Sequence, residues 1–317
     1  MGRSIEIDNV DFYLEDLKSK FKKIKPEAYY LSYSGGKDSH LLFWFLKIWL
    51  KENDFEMYKK YSSIPIIGIN TYMEHPQILK RIKDNCDVVL KGRMKPLEIK
   101  EKYGIPCFSK FQDEMINRYQ NGSRKPYLIR AVTGRDENDN NINTMFKLNN
   151  NAREKLLNGE LHKISQKCCD KLKKKPARDY QKLTGKKEIL GVMADEGVLR
   201  GSKYKSCFTE DKKFTPIWDL TDQIENAIYK KYNIELPEIY EHITRTGCFG
   251  CPYGSYKGNT EKELDLINEN QRKFIVDYFK ESYDLLGINY NNFLEKSTKK
   301  CNEEKKHKSR IEQLSLF

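Results

Sequence analysis

The 317-residue chain lacks the features that mark membrane-spanning and exported proteins. Its longest apolar run, His40 to Leu50, is too short to cross a membrane and contains Lys47. The first residues, MGRSIEIDNVDFYLEDL, contain no apolar core of a signal peptide, and Glu6 stands where N-myristoylation requires serine or threonine. We therefore expect a cytoplasmic protein with no membrane partner. Eight cysteines in such a chain favour metal ligands or redox groups over a disulfide framework.

Two common phosphate-binding patterns are absent as well. Residues 28–50, AYYLSYSGGKDSHLLFWFLKIWL, read as a buried strand, a glycine turn and a buried helix. A Walker A loop would require glycine at position 31 and serine or threonine at position 38, where this chain has Leu31 and Asp38. The dinucleotide pattern G-x-G-x-x-G is also missing from this stretch. The turn is either a phosphate site of a third kind or an ordinary tight turn before a core helix.

The composition of the turn favours phosphate. Its six candidate nucleotide-binding residues are Ser34, Gly35, Gly36, Lys37, Asp38 and Ser39. The glycines allow positive φ and close approach of phosphate oxygens, while the serine hydroxyls can donate hydrogen bonds. Lys37 can neutralise phosphate charge, and Asp38 can help to hold Mg²⁺. In a doubly wound fold such a turn lies where ligands bind.

The order of elements predicts an α/β protein with a doubly wound parallel sheet and a helical C-terminal extension. Apolar runs at residues 63–70, 86–90 and 188–194 read as further strands, and residues 76–85 read as a helix. Val10, Leu14, Leu17, Phe21 and Ile24 recur at helical spacing before Pro26. The Asn-rich stretch 135–151 reads as a loop. These patterns divide the chain into an N-terminal helix (1–25), a nucleotide-binding domain (26–255) and a helical region with a basic tail (256–317).

The formal charge of +12 favours anionic partners such as nucleotides or nucleic acid. Ten lysines and arginines but two aspartates lie between residues 163 and 187. This run is typical of a nucleic-acid contact and equally of a solvated helix.

Four cysteines have a spacing that suits a metal centre. Cys168 and Cys169 are adjacent, and Cys248 and Cys251 form a C-x2-C pair. Four thiolates can hold zinc or a [4Fe-4S] cluster, whereas the alternative makes the first pair structural thiols and the second pair half of a zinc knuckle. Cys86 and Cys107 read as core residues, and the five histidines show no metal-binding spacing.

The turn resembles the PP-loop family of N-type ATP pyrophosphatases, whose motif is S-G-G-x-D-S. This resemblance implies an adenine nucleotide alpha hydrolase-like fold that binds ATP through residues 34–39, adenylates a substrate oxygen and releases pyrophosphate. Sulfonucleotide reductases use the same fold with an altered loop, so the intact loop of this chain favours ATP.

The cysteine segment CCDKLKKKP resembles adenylyl-sulfate reductases, with Lys173 and Pro176 in matching places. That resemblance implies a [4Fe-4S] cluster on Cys168, Cys169, Cys248 and Cys251, with Lys173 near its charge.

A longer likeness, over most of residues 28–255, is to bacterial and phage phosphoadenosine phosphosulfate (PAPS) reductase-like proteins. Matching pieces include YGIPCFSK, GVMADEGVLR, KSCF, TPIWDLTDQIENAIYKKYNIELPEIY and TRTGCFGCPYG.

Two positions depart from or extend the family pattern. Gly197 follows Glu196 where relatives usually have serine, although Arg200 remains available for phosphate or sulfate. Cys207 occupies a site where relatives often have cysteine and could replace one of the adjacent pair as a ligand.

The resemblance implies an enzyme that activates an acceptor with ATP for sulfur transfer, with nucleic-acid thiolation as one route. Relatives of that kind include tRNA thiolases and DndC-type DNA phosphorothioation proteins, and a cysteine desulfurase is the implied partner. A sulfonucleotide reductase is the weaker alternative, because the family's E-C-G-x-H nucleophile motif is absent and Cys301 is the one later cysteine. A third possibility is a non-catalytic nucleotide-binding or DNA-binding accessory protein of a modification system.

Overall fold

A computed structural model describes residues 10–142, 147–196, 201 and 204–290. The chain divides into two compact units. The first, named the sheet unit, contains the residues up to Pro96 and from Cys169 to Cys248. The second, named the helical unit, contains Leu97–Cys168 and the residues from Phe249 onward. The predicted segment 26–255 therefore has residues in both units.

The sheet unit is built on four parallel strands, which confirms the predicted α/β class and parallel sheet. The strands are β1 (Tyr29–Tyr33), β2 (Ile66–Asn70), β3 (Val88–Lys91) and β4 (Lys187–Leu190), in the order β3-β2-β1-β4. The chain moves outward from β1 to β3 and then returns to the other side of β1 to form β4. The carboxyl ends of β1 and β4 therefore meet where the strand order reverses, the usual ligand crevice of open α/β sheets.

The register of the sheet follows the apolar residues in β1. Leu31 pairs with Ile66 on one side and with Ile189 on the other. Each strand predicted from an apolar run is present, but β4 ends at Leu190 rather than at residue 194. The chain turns there, because Ala194–Glu196 forms a 3₁₀ turn.

Helices alternate with the strands along the chain, as predicted for a βαβ arrangement. They are Val10–Phe21, Lys37–Trp44, Leu50–Asn53, Phe55–Tyr61, Pro76–Asn85, Lys175–Thr184 and Asp222–Lys231, with π-helical turns at Phe45–Trp49 and Asp170–Lys174. The leading helix buries Val10, Leu14, Leu17 and Phe21, the spacing that predicted it. Phe21 packs on Phe45 and Phe214 with ring centroids 5.4 and 5.2 Å apart, so this helix contributes to the core of the sheet unit.

The helical unit has a separate apolar core. Its helices are Pro96–Tyr103, which begins at the unit boundary, Lys110–Gln120, Pro126–Thr133, Asn150–Leu157, Asn259–Asp265 and Glu269–Leu286. The short helix Lys167–Cys169 ends at the boundary. Buried Asp113 accepts hydrogen bonds from the Cys107 and Phe108 amides and from the Tyr253 hydroxyl.

Two sequence predictions fall in this unit. Cys107 lies fully buried in the core, as predicted. The predicted loop 135–151 includes residues 143–146, which lie outside the described residues, and its last residues begin the helix at Asn150. Throughout the described ranges, no helix is both long enough and apolar enough to cross a membrane.

Candidate functional site: the glycine turn and its cavity

The glycine turn connects β1 to the helix Lys37–Trp44 at the carboxyl edge of the sheet. Gly35 has φ +73°, a left-handed conformation that favours glycine. A Cβ atom on Gly35 would lie 2.9 Å from Ile78 Cγ2, so the turn also requires the absence of a side chain. The sequence places glycine here for two independent steric reasons.

The two serines of the turn bond within it. The Ser39 hydroxyl donates to the Gly36 carbonyl oxygen at 3.0 Å and accepts from the Ser34 amide at 3.2 Å. The Ser34 hydroxyl accepts from the Gly36 amide at 3.3 Å. The turn is therefore held by hydrogen bonds from its own serine side chains.

Lys37 is held at three points by residues almost 200 positions later. Its amide donates to the Tyr240 hydroxyl at 2.9 Å, and its carbonyl accepts from the Tyr229 hydroxyl at 2.7 Å. Its Nζ lies 2.8 Å from Glu225 Oε2. Glu225 is fully buried, and Lys37 retains 13% of its side-chain exposure. Glu225 and Tyr229 lie on the helix Asp222–Lys231, so this helix is the support of the turn.

The electrostatics around Glu225 follow from its burial. Burial, and after it the negative charge of Asp38, raise the pKa of Glu225 to about 7 against the opposing effect of Lys37. Burial also raises the pKa of Tyr229 well above its ordinary value, so its hydroxyl is a donor at neutral pH. The turn is thus flanked by two carboxyl groups, Asp38 and Glu225, with Lys37 paired to the buried one.

Strand β4 approaches the same turn. A Cβ atom on Gly191, just after β4, would lie 2.7 Å from the backbone of Asp38 and Ser39. Only glycine allows the end of β4 to pack this closely on the first turn of the helix. Gly191 of the predicted strand 188–194 therefore has a steric role at the site.

A cavity of about 500 Å³ opens beside the turn, within the sheet unit. Its walls come from the ends of β1, β2 and β4, from the helical segment 170–184 and from the residues before Cys248. Its charged lining contains four basic residues and two acidic ones, Lys173, Lys174, Arg178, Lys213, Glu74 and Glu188. Ser34, Tyr204 and Thr246 add hydroxyl groups. A volume of this size suits a nucleotide, and the excess of basic groups suits an anionic one.

One cavity lysine is already paired. Lys213 Nζ lies 2.8 Å from Glu188 Oε2 and 3.4 Å from Asp211 Oδ2. Although burial lowers the pKa of Lys213, these two carboxylates raise it above its ordinary value. Arg178 is paired as well, because its Nη2 lies 2.9 Å from Asp170 Oδ1. The excess of positive charge in the lining therefore comes from Lys173 and Lys174.

Two predicted ligands in the sheet unit, Cys169 and Cys248, lie beside Lys173. The negative charge that Cys248 and Cys169 would carry raises the pKa of Lys173, against the opposing effect of burial. Burial raises the pKa of the Cys248 thiol, and Lys173 lowers it. Cys248 Sγ lies 3.6 Å from Thr71 Oγ1, and that hydroxyl also donates to Glu74 at 2.5 Å. Lys173 and Glu74 line the cavity, so these thiols adjoin it.

The other two predicted ligands belong to the helical unit. Cys168 is buried, and the Cys251 carbonyl accepts from the Thr260 hydroxyl at 3.1 Å. Cys207, the predicted substitute ligand, belongs to the sheet unit. It is half-buried, and its carbonyl accepts from the Thr215 amide. Among the residues that the structure describes, no three His, Cys, Asp or Glu side chains form a group that could hold a metal ion. Cys169 and Cys248 thus provide two thiols of the predicted set in one unit, and the full ligand set stays a prediction.

Two predicted residues cannot be placed, and several supporting residues were missed. Arg200 and Cys301 lie outside the described residues. Sequence reasoning missed Glu225, Tyr229 and Tyr240. A signal for Glu225 does exist: the helix Asp222–Lys231 buries Ile224, Glu225, Ile228 and Tyr229 as one stripe, and an acidic residue in an apolar stripe requires a partner. Tyr240 has no comparable signal, because it follows an irregular segment.

Comparisons with known proteins add no assignment. No protein-family model matches the chain, and no curated protein matches it in sequence.

Proposed function

We propose that this protein is a PP-loop ATP pyrophosphatase-type enzyme that binds ATP at residues 34–39 and adenylates an acceptor. The observation that carries the proposal is the internally hydrogen-bonded Gly35-Gly36 turn at the reversal point of the sheet, beside a basic cavity of nucleotide size. A helix that begins at such a turn directs the positive end of its dipole toward a bound phosphate.

The proposed reaction breaks the bond between the α-phosphorus and the oxygen that bridges to the β-phosphate. An acceptor oxygen attacks the α-phosphorus, pyrophosphate leaves with the bonding electron pair, and any proton on the acceptor passes to solvent. Lys37 stabilises charge that develops on the phosphates, and Asp38 would hold Mg²⁺. Arg200 stays a predicted phosphate or sulfate contact.

We further propose that the adenylated acceptor undergoes sulfur incorporation, with AMP as the leaving group and a sulfur donor as the nucleophile. Thiols of Cys169 and Cys248 beside the cavity support this. Cys168, Cys169, Cys248 and Cys251 would hold a [4Fe-4S] cluster, which would relay sulfur or order the site, and zinc is the alternative metal.

The basic residues that line the cavity favour a nucleic acid as the acceptor. Lys174 and Arg178, both from the basic run, line the cavity, and Lys174 is exposed. Such side chains can bind an acceptor phosphate without reading its sequence. A cysteine desulfurase as sulfur supplier stays an expectation from the resemblance.

The products of ATP turnover test the reaction class. Purified protein should convert ATP with Mg²⁺ to AMP and pyrophosphate, slowly with water and faster when a nucleic-acid acceptor is present. Lys37→Ala should reduce the rate at least tenfold. Lys59→Ala is the matched control, because Lys59 is also ion-paired, to Glu56 at 2.8 Å, but on an exposed helix.

Each other outcome has a definite meaning. ADP and phosphate as products would contradict adenylation. Tight ATP binding without any turnover would favour the accessory-protein alternative. Sulfite release from a sulfonucleotide, lost in Cys301→Ser, would favour the reductase.

A further inference from the structure

The most unusual charged group near the turn is Glu225. It is fully buried, and its partner among the described residues is Lys37 Nζ at 2.8 Å. Neither of its carboxylate oxygens accepts a hydrogen bond in the described part of the chain, so its contact with Lys37 is an ion pair. Neither the family motif nor the proposed chemistry assigns this residue a role.

The same segment also holds the backbone of Lys37 on both sides. Tyr229, one helical turn after Glu225, donates to the Lys37 carbonyl, and Tyr240 accepts from the Lys37 amide. The Tyr240 hydroxyl is in turn 3.1 Å from Thr246 Oγ1, which lines the cavity. Amide, carbonyl and ammonium of one residue are therefore each fixed by residues 225–240.

The burial of Glu225 limits where Lys37 can go. If the ammonium group moved fully to a phosphate, it would leave a buried carboxylate without a partner, which is strongly unfavourable. An ammonium group has three N–H donors, and one suffices for Glu225. Lys37 can therefore stay with Glu225 and still direct two donors toward a ligand.

We propose that Glu225 is a positioning residue that fixes the Lys37 ammonium group for phosphate binding at the turn. This inference rests on the proposed function, because it assigns Lys37 to the phosphates of ATP. When Glu225 is ionised, the Lys37–Glu225 pair is neutral, and Asp38 adds a negative charge. The turn should therefore favour a phosphate chain complexed with Mg²⁺ over the free tetra-anion.

A variant set separates positioning from structural support. Glu225→Gln keeps the shape and removes the charge, Glu225→Asp keeps the charge, and Asp219→Asn is the matched control. Asp219 is the partner of another buried lysine of the sheet unit, Lys20, at 2.5 Å. Thermal unfolding identifies any variant that fails to fold.

The first readout needs no nucleotide. The rate at which an acylating reagent modifies Lys37 is measured by mass spectrometry, with Lys213 of the same protein as the internal reference. Glu225→Gln should raise the Lys37 rate at least threefold, Glu225→Asp should raise it less, and Asp219→Asn should leave it unchanged. An unchanged rate in Glu225→Gln would overturn the inference.

The second readout is a double-mutant cycle on the dissociation constant of MgATP. Glu225→Gln should weaken binding about tenfold in the wild-type background but by less than twofold in a Lys37→Met background, because the two residues act as one unit. Equal losses in both backgrounds, or unchanged binding in Glu225→Gln, would overturn the inference and leave the ATP assignment in place. Absence of MgATP binding to the wild-type protein would instead overturn the proposed function.

Discussion

Lys37 and Lys173 are both partly buried lysines of the sheet unit, but their partners differ in kind. Lys37 faces a carboxyl group, Glu225, at 2.8 Å, whereas Lys173 faces the thiols of Cys248 and Cys169. When Glu225 is ionised, its buried carboxylate holds the ammonium group of Lys37 in place, and the pair is neutral. A buried thiol is protonated unless a cation stabilises its thiolate. The first lysine is thus placed for binding an anion, and the second partly offsets the rise in the pKa of Cys248 that burial causes.

The largest expected effect on stability comes from breaking the Lys37–Glu225 pair. Lys37→Ala leaves Glu225 buried without its partner and should lower the free energy of unfolding by about 3 kcal/mol. Urea unfolding at pH 9, where the Glu225 carboxylate is ionised, measures this, and Lys59→Ala should change it by less than about 0.5 kcal/mol. The double variant Lys37→Met with Glu225→Leu should recover most of the stability but no ATP binding. If Lys37→Ala is as stable as Lys59→Ala, the pair does not carry the support we assign to it.

The pH dependence of stability sharpens the comparison. The pKa of Glu225 is raised from 4.5 to about 7 in the folded protein, so between these values the folded state holds more protons than the unfolded chain. The contribution of Glu225 is therefore fully present below pH 4.5 and is lost as pH rises toward 7. Glu225→Gln should flatten the fall in stability over this window. Asp113 and Glu263 have pKa values raised by burial to about 6 and about 7, so part of the slope should persist. An unchanged slope in Glu225→Gln would contradict the assignment.

Removing the charge of Lys173 should slow the alkylation of Cys248. In protein freed of metal by a chelator, Lys173→Met removes the charge that lowers the pKa of Cys248, so alkylation of Cys248 at pH 8 should slow severalfold. Labelling followed by mass spectrometry measures each cysteine separately. Cys107, whose pKa burial raises and which Lys173 does not affect, is the internal control. Equal Cys248 rates in both proteins would show that Lys173 does not activate it.

Metal analysis tests what the thiols hold. Protein purified without oxygen should contain about four irons and four sulfides per chain, and Cys169→Ser or Cys248→Ser should lose them. Cys86→Ser is the matched control, because Cys86 lies outside the predicted ligand set. One zinc per chain in place of iron would assign the cysteines a structural role.

The smallest expected effect concerns the helix that carries Glu225. Thr221 caps this helix by accepting from the Ile224 amide, so Thr221→Ala should lower the free energy of unfolding by about 1 kcal/mol. Ser109 caps Lys110–Gln120 in the helical unit in the same way, and Ser109→Ala should have a similar effect on stability. MgATP binding should weaken, about twofold, in Thr221→Ala alone. A loss of binding in Ser109→Ala would contradict the division of roles between the two units.

The sequence predicted most of the sheet unit because its signals are local. Apolar runs predicted the strands, helical spacing predicted Val10–Phe21, and the glycine pair predicted the turn. Local patterns carry no information on long-range partners, so the contacts from Glu225, Tyr229 and Tyr240 to Lys37 were missed. The end of β4 was also misplaced, because Val192 and Met193 are as apolar as strand residues but follow Gly191, where the chain packs against the turn.

The most direct test is a calorimetric titration of MgATP into the wild-type protein and into Gly35→Ala. A Cβ atom at position 35 strains a left-handed residue and meets Ile78, so it should distort the turn while leaving the sheet in place. Gly159→Ala, at another left-handed glycine with open space around it, is the control for the backbone effect alone. We predict binding to the wild-type and control proteins and at least a tenfold weaker affinity in Gly35→Ala. Equal binding by all three proteins, or no binding by the wild type, would contradict the assignment of this turn to ATP.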